Sequence, residues 1–101
     1  MPLVENYSVL FYGGPQGYQT NRAQIQLSGQ DGKSVAWLRF NDPGMAFEDD
    51  YEEGGIIHMH LPSSMFHNVL DVLRNEKPID IYFVQGRGFL GTSNEPIGED
   101  E

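Results

Sequence analysis

Two histidines two positions apart, His58 and His60, are the sharpest chemical signal in the chain. On a strand their imidazoles project to one side, while Ile57, Met59 and Leu61 project to the other. Such a pair is half of a zinc or iron site. A catalytic zinc takes three protein ligands, so the pair needs a partner from elsewhere, for example a carboxylate of the run Glu48-Asp49-Asp50-Tyr51-Glu52-Glu53. His67 follows in sequence, but it falls on the polar arc of the helix expected there. If Ile57, Met59 and Leu61 face the core, that helix lies on their side and the two imidazoles lie on the other. The plainer reading is a surface or interface pair that titrates near neutrality. His58 and His60 thus stand as metal candidates lacking a third ligand, and no cofactor is expected.

Other chemistries find less support. The run Glu48–Glu53 has no regular ligand spacing and no mid-loop glycine, so it reads as a solvated, mobile acidic loop and not as a calcium site. Gly86-Arg87-Gly88-Phe89-Leu90-Gly91 fits a dinucleotide pattern in letters alone. That motif needs a helix after its glycines, and here Pro96 and Gly98 follow. Gly13–Gly17 leads into a strand, not a helix N-terminus, so it is no phosphate loop. Cysteine is absent, which removes thiolate chemistry and disulfides. Ser63 and Ser64 precede His67 and Asp71, but adjacent helix positions make a poor charge relay, and Ser63 is better placed as an N-cap. No catalytic constellation is expected.

The elements that position these residues are easier to read. Phe66, Val69, Leu70 and Leu73 share one helical face, widened by Met65 and Val72. Pro62-Ser63 starts the helix and Lys77-Pro78 stops it, so the spacing predicts one helix over about residues 63–76. Alternating side chains predict strands over 6–12, 22–28, 34–40, 56–61, 79–84 and 89–93. Turns are marked by Gly29-Gln30-Asp31-Gly32 and Asn41-Asp42-Pro43-Gly44. The expectation is an α+β domain spanning 1–101, in the order β-β-β-β-α-β-β. It is a mostly antiparallel sheet, or a curled half-barrel, of about six strands with one helix on one face.

Fifteen acidic and six basic residues among 101 give a net charge of −9. The excess sits in a loop at 42–55 and a tail at 94–101; the rest is near neutral. Such a chain repels phosphate backbones, so nucleic acid and anionic membranes are not expected partners. No apolar run approaches membrane-spanning length and no secretory leader is legible, which places the chain in the cytoplasm.

Three strands, 9–12, 35–40 and 79–84, read as apolar on both sides, and one helix covers only one side. Trp37, Tyr82, Val84, Tyr12 and Tyr51 are therefore interface candidates. The favoured reading is a non-enzymatic protein-interaction or self-associating domain, a homodimer through the second sheet face. A sheet that curls and fills its own interior is the alternative cover. The competing functions are a small-molecule or metal-binding protein using His58 and His60, and an acidic docking module for a basic protein partner.

Overall fold

The structure is a computed structural model that describes residues 3–92. The acidic tail expected at 94–101 lies outside the described residues. In chain order the elements are β1 (Leu3–Val4), β2 (Asn6–Phe11), β3 (Ala23–Ser28), β4 (Ser34–Asn41), β5 (Tyr51–Glu53), β6 (Ile56–Pro62), a 3₁₀ turn (Ser63–Met65), α1 (Phe66–Asn75), β7 (Ile79–Val84) and β8 (Arg87–Thr92). The α+β class and the single helix stand as expected, and most sheet pairings are antiparallel.

Alternation organises the core. Ala23, Ile25 and Leu27 on β3 and Ala36, Leu38 and Phe40 on β4 are all buried on one face of a sheet ordered β2-β3-β4-β6-β5. Ile57 and Met59 extend that face across β6. Phe66 and Val69 of α1 close onto it, with Leu70 and Leu73 half-buried alongside. Ile81 adds to the core from a second sheet, ordered β1-β7-β8.

Four expectations need correction. Among the described residues there are eight strands in two sheets, not about six in one. β4 and β6 run parallel, with Trp37 opposite His58 and Arg39 opposite His60. The stretch from Asp42 to Gly55 is long enough to return the chain to the same end of the sheet, which a hairpin cannot do. Part of the acidic loop is itself a strand: β5 pairs antiparallel with β6 and forms a sheet edge. Finally, Ser63 does not cap the helix; it opens the 3₁₀ turn instead.

The two sheets are joined twice. At one side the chain itself crosses: β1 pairs with β7, Glu5 donates its N–H to the Ser28 carbonyl at 2.8 Å, and β2 continues along β3. At the other side a carboxylate makes the link. Asp50 accepts from the His60 N–H on β6 at 2.8 Å and from the Gly88 N–H on β8 at 2.9 Å. The strands approach so closely there that a Cβ on Gly88 would stand 2.3 Å from Met59 Cγ. Glycine is needed at that position for the close approach. The result is a curled, nearly closed β-layer, with α1 packed against the interior of its larger sheet.

Candidate functional site

Among the described residues no helix lies over the outer face of the five-stranded sheet, and that face differs from the expected apolar one. Gln24 and Gln26 project there from β3, Val35, Trp37 and Arg39 from β4, and His58 and His60 from β6. Arg39 shares its side of β4 with Val35 and Trp37, so the strand is not apolar on both faces. The interface candidates also divide. Tyr12, Trp37 and Tyr51 belong to this face, with the Tyr12 hydroxyl reaching Gln24 Oε1 at 3.4 Å. Tyr82 and Val84 lie on the other sheet, where Tyr82 stacks on Phe89 at 5.1 Å. The five do not form one surface.

Toward the β5 edge of the face the register aligns Trp37, His58 and Tyr51 across three adjacent strands. The Tyr51 ring stacks on the His58 imidazole at 4.3 Å between centroids and 9° between planes. Trp37 meets the same imidazole edge-on at 5.3 Å. The Arg39 guanidinium sits 5.3 Å from the Trp37 ring centroid and bonds His58 Nδ1 through Nη1 at 2.7 Å. Guanidinium can only donate, so Nδ1 accepts and the ring proton belongs on Nε2. His58 is buried, and that burial, followed by the nearby Arg39 charge, lowers its pKa below the ordinary value. The imidazole is thus held neutral between two aromatic rings and a cation.

This has a measurable consequence. A histidine whose folded pKa is depressed resists protonation only when folded, so the unfolded state binds the proton first. Stability is full above about pH 6.5 and falls as pH drops below it toward the lowered folded value. Urea melts from pH 7.5 to 5.5 are expected to show this decline, and His58→Gln to remove the part of the slope that His58 carries. An identical slope in His58→Gln would contradict the neutral, cation-bonded imidazole.

Two polar atoms at this face are buried without a hydrogen-bond partner among the described residues: Trp37 Nε1 and His60 Nδ1. His60 Nδ1 lies 3.5 Å from Asp50 Oδ1 but is not aimed to bond it. The metal candidates His58 and His60 do share a side, as alternation requires. Among the described residues, however, no three histidine, aspartate or glutamate side chains converge as ligands. His67 sits on the exposed side of α1, with its ring edge-on to Phe66. The run Glu48–Glu53 is not a uniform mobile loop: Asp50 turns onto two backbone amides, and Tyr51–Glu53 is a strand whose tyrosine joins the cluster.

A second polar assembly holds the loop from Tyr12 to Asn21. Arg22 donates to Asp42 Oδ2 at 2.7 Å and to the carbonyls of Tyr12, Gly14 and Pro15. That guanidinium first, and the Ser63 hydroxyl second, lower the Asp42 pKa. Asn41, buried on β4, donates to the carbonyls of Thr20 and Ala46. Gln19 and Thr20 both have positive φ, 51° and 63°, in the left-handed region that a β-branched residue avoids. These bonds hold the strained turn in place.

Arg39 and Asp50 are the site residues that sequence reasoning missed. Arg39 was within reach, since strand alternation alone puts it beside Trp37. Nothing local in the sequence distinguishes Asp50 from its acidic neighbours. No family model, no curated protein and no solved structure matches the chain.

Proposed function

We propose that this chain is a protein-interaction domain without catalytic activity, and that the outer face of the five-stranded sheet is its contact surface. One observation carries the reading: Trp37, Tyr51 and Arg39, the side-chain types that dominate binding energy at protein interfaces, gather around His58 on the outer sheet face beside its β5 edge. Glu52 and Glu53 on the adjoining edge strand favour a partner that is basic at its rim. A homodimer through this face is the weaker form of the reading. A two-fold contact here would set Arg39, His58 and two glutamines against their own copies, not apolar against apolar. A metal site built on His58 and His60 is weaker still, because a guanidinium already occupies His58 Nδ1.

Photo-cross-linking tests the proposal. Benzoylphenylalanine replaces Tyr51 on the face, and His67 on the exposed side of α1 as a control. Protein adducts are expected from position 51 and not from 67, with yield falling as salt rises. Equal adducts from both positions, or none from 51, would remove the outer face as the contact surface.

A further inference from the structure

The five-stranded sheet has two edges, and they are built in opposite ways. The β5 edge carries Glu52 and Glu53, the charged protection that keeps strand edges from pairing with other chains. The β2 edge has no such protection. Asn6–Phe11 contains no charge and no proline, pairs with β3 in continuous register, and exposes Tyr7, Leu10 and Phe11. Phe11 is 66% exposed although its ring touches Phe66. The uncharged stretch runs on from Asn6 to Asn21 in a chain of net charge −9.

The hydrogen-bond phase shows which backbone groups face outward. Tyr12 donates its N–H to the Arg22 carbonyl, so the even-numbered residues of β2 turn toward β3. The N–H and C=O groups of Tyr7, Val9 and Phe11 point away from the sheet. Among the described residues no strand pairs with them.

We infer that β2 pairs antiparallel with β2 of a second copy, about a two-fold axis at Val9. This register sets Val9 opposite Val9, Tyr7 opposite Phe11, and Ser8 opposite Leu10. Tyr7, Val9 and Phe11 each give and take one backbone bond, so every outward group is satisfied. Shifting the axis by one or two residues leaves Tyr7 or Phe11 with no β2 residue opposite it, and slipping the register by a single residue puts the core face of one copy on the outer side of the other. Aromatic pairs then form across the new junction on the core side.

Charge selects a second copy as the occupant. β2 and β5 are opposite edges of the sheet, so this pairing puts the two acidic edges nine strand spacings apart, roughly 40 Å. That is far beyond the screening length of about 8 Å at physiological salt. Pairing through any edge or face nearer β5 would bring the acidic runs together. The product is a ten-stranded sheet with both outer faces on the same side.

Sedimentation equilibrium and disulfide trapping test the pairing, and neither depends on the outer-face proposal. The parent chain is expected at twice 11.4 kDa at tens of micromolar. Leu10→Glu, at an exposed position, is expected to sediment as a folded monomer, with an unchanged circular dichroism spectrum. Because the chain has no cysteine, Ser8→Cys and Leu10→Cys supply the only thiols. A mixture of the two variants is expected to cross-link under mild oxidation much faster than either alone, since only unlike positions face each other. A monomer at every concentration would overturn the inference. So would a dimer indifferent to Leu10→Glu, equal cross-linking of like and unlike positions, or a dimer that forms only after residues 94–101 are removed, which would assign the edge to the chain's own tail.

Discussion

Phe40→Ala is expected to lower the stability of the domain by about 3–5 kcal/mol. Phe40 has no exposed surface and lies between the sheet interior and the helix. Its ring meets Phe66 edge-on at 5.1 Å, and Phe66 in turn contacts Phe11. Truncation therefore removes buried area, leaves a cavity and breaks the aromatic chain that ties β2 and α1 to β4. A domain of this size is stable by roughly 5–15 kcal/mol in total, so the variant should lie near the limit of folding. Urea melts measure it directly. A loss under about 1 kcal/mol would mean that α1 does not seat on this face.

Asp50→Ala is expected to cost about 2–5 kcal/mol, a large effect for one residue of an acidic run. The carboxylate is the acceptor for two backbone N–H groups on strands of different sheets, His60 and Gly88. Deleting it leaves both donors unsatisfied where β6 and β8 meet, and unpaired buried donors are more costly than the bonds themselves are stabilising. Asp49→Ala is the control, since Asp49 is exposed. The two variants are expected to differ by at least about 1.5 kcal/mol. Amide exchange at Gly88 should also accelerate in Asp50→Ala. Equal stability of the two variants would show that Asp50 does not link the sheets.

The contrast between Asp49 and Asp50 shows what a linear sequence hides. Six of the eight strands and the helix were legible because side-chain alternation and the 3.6-residue stripe are local signals. β5 was not, because Tyr51-Glu52-Glu53 reads as charge and its strand character comes only from pairing with β6. The parallel pairing of β4 with β6 was hidden for the same reason: chain pairing is decided by tertiary packing, not by either strand alone. The outer face was misread in a different way. Trp37 and Val35 suggested grease, while Arg39, on the same side, is the group that sets the character of the cluster by bonding His58. The histidine pair was legible as chemistry, but its meaning depended on a cation nineteen residues away in sequence.

Trp37 is the only tryptophan, so its emission reports on the aromatic cluster of the outer face alone. The most direct measurement is that emission while the protein cross-linked from position 51 is titrated into the domain. A saturable shift and change in intensity, with one partner site per chain, is the expected result. Emission that stays constant at saturating partner would contradict the outer face as the contact surface.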